Sequence, residues 1–322
     1  MTKQEFKQIP VVGALGKPSV INMIRSSLPI IGLIAVCIIF NVLTKGSMWN
    51  SRKLILNQVY VVLISATGVF FIMSMGGLDF SQGSILGIAS IVVCKLSGIN
   101  MLLAVIGGVV AGALIGAFNG FFYVNRKIKS FIVTICTMFL FRGFIKYMAS
   151  NSPVAASMKV YDYDTTGIKL GITAVVLIVS FVVFRFTKFG INLKAIGAGE
   201  KAVKFAGVRT DRVKFLIYIL AGAITGLAAF VNIVKNGSAT ANVGNQLETQ
   251  ILIALVLGGM PISGGAKVRF ENVIVGSLLY IVLNNGLIMM GLTTQMMQLI
   301  QGVIFLIFVA VFADRESLSV IK

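Results

Sequence analysis

Apolar runs near 20 residues recur from one end of this chain to the other, and they constrain its fold more than any other feature. A helix rises about 1.5 Å per residue, so a run of about 20 residues matches the hydrocarbon thickness of a bilayer. A soluble core needs no such repetition, because its helices keep a polar face for water. With 57% hydrophobic and only 12% charged residues, the chain lacks the polar surface to solvate so many helices. The pattern predicts an all-α polytopic membrane protein. Ten spans are expected, over residues 27–43, 54–75, 84–96, 101–124, 131–149, 168–186, 215–233, 251–259, 273–290 and 297–312. The third and eighth are short, which points to tilted, broken or partly re-entrant segments. Irregular backbone is tolerated at depth only where protein or a water-filled cavity covers it, so such interruptions mark a candidate solute path.

Charge sets the orientation. With ten spans and the N-terminus inside, inner segments hold 19 of the 28 Lys and Arg. They are Lys3, Lys7, Lys17, Arg25, Arg126, Lys127, Lys129, eight residues between Arg185 and Lys214, Lys267, Arg269, Arg315 and Lys322. Lys45, Arg52 and Lys53 in the first outer loop run against the rule, but the Arg185–Lys214 block outweighs them. Both termini are then expected in the cytoplasm. Residues 1–26 read as a cytoplasmic N-terminal segment, and residues 27–322 as one transmembrane domain that includes the loop 187–214. The net charge of +18 fits basic loops beside anionic lipid, so no nucleic-acid partner is expected.

Several chemistries are excluded. The chain has no His, which removes His-based catalysis, His metal ligands and His proton relays. Its ten carboxylates all fall in predicted loops or at membrane surfaces, which weighs against a proton-driven carrier. The nearest stretch to a phosphate loop, Gly13-Ala14-Leu15-Gly16-Lys17-Pro18-Ser19, has the wrong spacing. Cys37, Cys94 and Cys136 are isolated within spans and form neither a disulfide framework nor a metal site. No catalytic residue, metal or cofactor is expected in this chain.

One pattern occurs twice, each time directly after an apolar run: Gly76-Gly77-Leu78-Asp79-Phe80-Ser81-Gln82-Gly83 and Gly258-Gly259-Met260-Pro261-Ile262-Ser263-Gly264-Gly265. Such Gly-rich polar turns at a membrane surface are candidate hinges or docking elements, with Gly76, Gly77, Asp79, Ser81, Gly83, Gly258, Gly259, Ser263 and Gly265 as the residues that matter. Asp79 is expected to cap the following helix, with solute binding as the alternative. The loop 187–214 contains an approximately helical stretch, bent at Gly197 or Gly199, whose small Gly- and Ala-rich ridge suits docking better than lipid anchoring.

These segments resemble the permease subunits of ribose-type ABC importers. That family carries Gly-Gly-Ile-Asp-Leu-Ser-x-Gly-Ser, matched by Gly76 to Ser84, and a Gly-x-Asn/Lys-x-x-Ala-x-Gly-x-Asn-x-x-Ala-Ala segment, matched from Gly190. Its Leu-Gly-Gly-x-x-Ile/Leu-Ser-Gly-Gly element is similar to Leu257 through Gly265, and Asn285-Gly286-Leu287 followed by Gly291 also fits. Gly199 stands for the usual Asn, Val203 for a common Ala, and Pro261 and residues 267–271 depart from the usual small residues. The resemblance covers about residues 27–315 and implies the ABC importer permease fold in a bacterial inner membrane, working as a pair, with a homodimer as the simpler arrangement. It implies a cytoplasmic ATP-binding subunit that holds ATP and Mg, and an extracytoplasmic binding protein that delivers the solute. Coupling to the ATPase would pass through Gly197, Ala198, Gly199, Glu200, Lys201 and Ala202.

The expected solute is a monosaccharide such as ribose. A nucleoside or other small polar solute is the variant, and an ion-coupled secondary carrier the competing class. A transient path for a polyol needs uncharged polar groups within spans. Asn57, Gln58, Ser65, Asn284 and Asn285 are the main candidates, with interhelical hydrogen bonding as the alternative use of these amides. Arg142 and Lys146, four apart on one face, are expected to snorkel toward the outer headgroups or to serve an outer docking surface.

Overall fold

The computed structural model describes residues 18–312, with side-chain surroundings from residue 27 to residue 310. The positions of both termini, and of Lys3, Lys7, Lys17, Arg315 and Lys322, lie outside the described residues, as does the side chain of Arg25. Each predicted apolar run falls largely within a helix: α1 (Pro18–Leu43), α2 (Arg52–Ser74), α3 (Gln82–Ser97), α4 (Met101–Asn125), α5 (Ser130–Met148) and α6 (Thr166–Phe186), then α8 (Thr210–Asn236), α9 (Leu247–Leu257), α10 (Glu271–Met289) and α11 (Thr294–Phe312). The loop between α6 and α8 carries a further helix, α7 (Lys188–Phe205). Helix α1 is described from Pro18, within the segment expected to precede the first span. Proline fits a first helical position, where its missing N–H is no loss.

Six helices, α2, α4, α5, α6, α8 and α10, are long and apolar enough to cross a membrane; α3, α9 and the described parts of α1 and α11 are shorter apolar helices. The protein is therefore an all-α polytopic membrane protein. Among the described residues, strand is limited to β1 (Val154–Ala155) paired antiparallel with β2 (Ser238–Ala239).

The helices sort by what surrounds them. The most apolar window of α2 is 78% buried inside the protein, and those of α8 and α10 are 67% and 61% buried, so these three form the centre. The windows of α4, α5 and α6 are at most 28% buried. Their outward positions recur at helical spacing and are apolar, as with Val175, Ile178, Val179 and Val182 on α6 or Phe139, Leu140 and Phe144 on α5. Such faces are costly in water and natural against lipid chains.

Along much of the contact between α4 and α8, backbone meets backbone. Gly108, Gly112, Gly116 and Gly120 recur every fourth residue along α4, and Gly222 and Gly226 answer them on α8. A Cβ on Gly112 would overlap the Gly222 carbonyl oxygen, and one on Gly226 would overlap that of Gly108. In lipid, where apolar side chains gain nothing by leaving their surroundings, such small residues let helices associate through close packing. The neighbours are backbone and cannot turn aside. Gly112→Val is expected to destroy the folded protein in detergent, whereas Gly143→Ala on α5, with open space around the new methyl, is expected to raise helix stability by about 0.5–1 kcal/mol. Thermal unfolding of the two variants by tryptophan fluorescence or size exclusion checks both.

Candidate functional site

The two Gly-rich motifs fold against each other. Gly76 turns at φ 79° and Gly264 at φ 67°, the left-handed region that glycine enters without strain. A Cβ on Gly76 would stand 2.9 Å from the Ser263 carbonyl oxygen, and one on Gly264 would stand 2.6 Å from the Gly76 nitrogen. Gly265 donates its N–H to the Ser74 carbonyl at 3.1 Å. Gly258, just before the second turn, presses on the Asn272 carbonyl of α10. Gly259 supplies another left-handed turn at φ 83°, and Gly77 packs on Ile72.

Helix α7 seats on this junction. A Cβ on Gly197 would overlap the Ser74 carbonyl and stand 2.6 Å from the Gly265 nitrogen. The three segments that carry the family resemblance therefore touch at one point, backbone against backbone. The helix breaks at Gly199, whose extended φ of 173° divides it in two. Gly190, Leu193 and Ile196 are buried beneath it, and Ala198, Gly199, Lys201 and Ala202 are exposed, so the small ridge faces outward.

Glu200, half-buried, is braced by neighbouring cations. Its carboxylate accepts from Lys214 of α8 at 2.6 Å, Lys204 at 3.2 Å and the Thr210 hydroxyl at 3.4 Å. Burial alone would push this carboxyl up, but the hydrogen bonds and charges of Lys214 and Lys204 outweigh it and hold the group below the usual carboxylate range. Phe205 ends the helix 94% exposed, an aromatic side chain standing free on the surface. The sequence offered a signal for it, an aromatic residue closing a ridge of small ones, but periodicity did not separate it from a core position.

The first motif is more than a surface turn. After Gly76 the chain runs without helix to Ser81, and α3 begins only at Gln82, inside the bundle. Side chains of α5 catch the extended backbone in order: Leu78 N–H donates to Ser130 Oγ at 3.2 Å and Phe80 N–H to Thr134 Oγ1 at 3.2 Å. Asp79 is 1% exposed. Its carboxylate accepts from the Ser81 N–H at 2.7 Å, the Ser81 hydroxyl at 2.6 Å and the Gln82 amide at 2.7 Å. The network continues outward. Asn119 donates to Ser81 Oγ at 2.8 Å, Thr137 donates to Asn119 Oδ1 at 2.6 Å, and the Thr225 hydroxyl bonds Gln82 Oε1. Asp79 thus braces Ser81 and Gln82 at the start of α3 without capping its first-turn N–H groups, and the network ties that start to α4, α5 and α8. Its depth differs from the expected membrane surface because the motif is threaded inward along α5.

A second polar group sits beside Gly83, where a Cβ would overlap both the Glu248 carboxylate and the Gly244 carbonyl. Arg142 donates to the carbonyls of Val243 at 3.2 Å and Gly244 at 3.1 Å, and to Glu248 at 3.3 Å. With 13% of its side chain exposed, Arg142 turns into the bundle and not toward headgroups; Lys146 remains exposed. The driving cause is Glu248, which lies in the first turn of α9 and is itself buried.

The path candidates fall into separate contacts. Asn57 accepts from Lys169 at 3.1 Å, and Lys169 is ion-paired with Asp164. Asn285 donates to Gln58 at 3.0 Å, and Gln301 donates to Asn284 at 2.9 Å, which joins α2, α10 and α11. The Ser65 hydroxyl is buried in α2 without a hydrogen-bond partner among the described residues. No group of three or more metal-ligating side chains occurs among the described residues.

The chain is a helical membrane bundle whose interior is tied by amides and small residues, with a helix seated on two Gly-rich turns. The family described as branched-chain amino acid transport system / permease component matches residues 52–309, and the chain belongs to it. The chain is 32% identical to a ribose import permease of Bacillus subtilis (strain 168) over 300 residues, 90% of this chain and 92% of that protein. It is 29% identical to the ribose import permease of Escherichia coli (strain K12), covering 86% and 88%. A D-allose transport system permease of the same strain is 30% identical over 83% of each chain. No solved structure matches at a significant level.

Two substitutions separate bracing from bystander roles. Asp79→Ala leaves the Ser81 N–H and the Gln82 amide without their acceptor and is expected to cost about 1–3 kcal/mol, read as a lower unfolding temperature. Arg142→Met leaves Glu248 buried without its cation and is expected to cost about 3–5 kcal/mol. Adding Glu248→Gln should recover part of that loss in a double-mutant cycle; no recovery would mean the pair is not coupled.

Proposed function

We propose that this chain is the transmembrane permease subunit of an ATP-driven ABC importer for a monosaccharide such as ribose. The observation that carries it is the seat of α7: Gly197 lies directly on Ser74 and Gly265, so motion of α7 reaches α2 and the turn before α10 without an intervening side chain. The exposed Ala198, Gly199, Lys201, Ala202 and Phe205 are the surface that a cytoplasmic ATP-binding subunit would grip, with ATP and Mg held on that partner. In this reading the ten apolar helices all traverse a bacterial inner membrane, both termini are cytoplasmic, two copies form the path, and an extracytoplasmic binding protein supplies solute. ATP hydrolysis belongs to the partner, so this chain is not an enzyme.

The chemistry of the interior supports a sugar over the amino acids in the family description. Arg142, Lys169 and Lys214 are each paired with a carboxylate, so these buried cations are engaged and do not wait for a zwitterion. The amides of Asn57, Gln58, Asn284 and Asn285 and the hydroxyl of Ser65 can exchange hydrogen bonds with a polyol passing between two copies. The curated relatives named for ribose and D-allose agree with that class. A nucleoside meets the same groups and is the second solute to test.

In proteoliposomes holding this chain with its ATPase, sugar-loaded binding protein is expected to stimulate ATP hydrolysis and drive ribose uptake. Uptake by this chain alone on an ion gradient would overturn the importer reading. Phe205→Ala is expected to reduce retention of the ATPase on the permease about tenfold or more, because aromatic hot spots at the centre of an interface cost about 2 kcal/mol or more when truncated. The Glu200 brace carries a sign. A carboxyl held low contributes fully above its unfolded range and loses that contribution as pH falls through the depressed folded value. Coupling should therefore be insensitive to Glu200 titration near neutral pH, and Glu200→Gln at neutral pH should lower the ratio of transport to ATP hydrolysis while leaving assembly intact.

A further inference from the structure

A cleft of about 500 Å³ opens between α1 and α6 at the α7 end of the bundle. Three cations border it from three elements: Arg185 in the last turn of α6, Lys194 on α7, and Arg269 just before α10. None of the three makes an ion pair among the described residues. One carboxylate, Glu271, shares the cleft with them. Burial and the neighbouring Arg185 charge hold the Lys194 ammonium below its usual range, against a weaker opposing pull from Glu271. The charges are therefore crowded, and an anion placed among them would relieve that crowding.

The floor is aromatic. Phe184 and Phe270 are buried and stack edge-on with Phe70, and the Lys194 ammonium stands over the Phe184 ring at 4.4 Å. The open side is apolar, with Ile30 of α1 51% exposed and Phe181 of α6 37% exposed on faces that continue into the lipid-facing surface. A soluble anion would meet the cations and gain nothing from that wall. A molecule with a negative head and acyl chains fits both.

We infer that this cleft binds the headgroup phosphate of an anionic phospholipid, with Arg185, Lys194 and Arg269 around the phosphate and the acyl chains lying along α1 and α6. Basic pockets between helices at the cytoplasmic headgroup level are suited to such lipids. The orientation proposed above places the cleft at that level. Its binding chemistry is independent of which solute the permease carries.

The test is native mass spectrometry of the full chain in detergent, offered equal amounts of phosphatidylglycerol and phosphatidylcholine. Phosphatidylglycerol is expected to be retained at least about tenfold better. Arg269→Gln should reduce the preference about fivefold, following about 1 kcal/mol per cation near a charged membrane surface, and R185Q/K194Q/R269Q should abolish it. The control R126Q/K129Q, which neutralises exposed cations elsewhere between α4 and α5, should keep it. Equal retention of the two lipids overturns the proposal. So does displacement of phosphatidylglycerol by millimolar inorganic phosphate, which marks a free-anion site, or lipid retained by monomers and excluded from dimers, which marks a protein interface. The readout needs neither ATP nor solute, so failure of the transport reading leaves it interpretable.

Discussion

An extended backbone inside an apolar bundle must find partners for its N–H groups, and the segment from Gly77 to Ser81 meets that demand with side chains. Ser130 and Thr134 of α5 accept two of the N–H groups, and Asp79 accepts a third. An unsatisfied N–H in such surroundings costs several kcal/mol, so this arrangement decides where α3 can begin. Because α3 starts inside the protein, Gly83 reaches Gly244 and Glu248, and Gln82 reaches Thr225 on α8. Much of the interior organisation follows from one polar stretch of chain that does not become helix.

The two kinds of contact in the bundle differ in what they allow. At the α7 seat and along α4 and α8, backbone touches backbone through glycine. Such contacts have no rotamer to adjust, so displacement of one partner is passed to the other or the contact opens. The contacts of Arg142 with Glu248 and of Lys169 with Asp164 and Asn57 are made by long side chains. Those can be lost and remade with a change of rotamer. On the proposed importer reading, the glycine seat suits transmission of force from the ATPase, and the side-chain contacts suit rearrangement as the path opens.

The apolar runs announced the helices because a membrane span must be apolar along its length, and that signal needs no knowledge of neighbours. The doubled motif and the 187–214 loop were also legible, since local composition marks turns and breaks. Their mutual contact was not, because nothing in two separate turns states that they meet. Asp79 and Arg142 show the same limit from the other side. Both read as surface residues, since a lone carboxylate or guanidinium within a membrane is costly. Each is buried because partners far away in sequence, Asn119 and Thr225 around the first and Glu248 beside the second, satisfy the network it belongs to. The every-fourth glycine pattern of α4 was present in the sequence and carried a packing meaning that apolar length alone did not separate out.

The distribution of these partners bears on why the interior is polar at all. A bundle held only by apolar packing gains little in lipid, where tails solvate Leu as well as another helix does. Specific hydrogen bonds between Asn285 and Gln58, between Gln301 and Asn284, and between Thr137 and Asn119 instead select which helices are neighbours. The same amides that select neighbours are the groups a polyol can replace one bond at a time, because an amide released from another amide can bond a hydroxyl without leaving a charge behind. A lone carboxylate or ammonium offers no such exchange, since breaking its pair strands a charge in the membrane. With Arg142, Lys169 and Lys214 each paired to a carboxylate and Asp79 held by hydroxyl, amide and backbone donors, the remaining interior polarity lies largely in amides and hydroxyls, which on the proposed importer reading suits an uncharged, hydroxyl-rich solute.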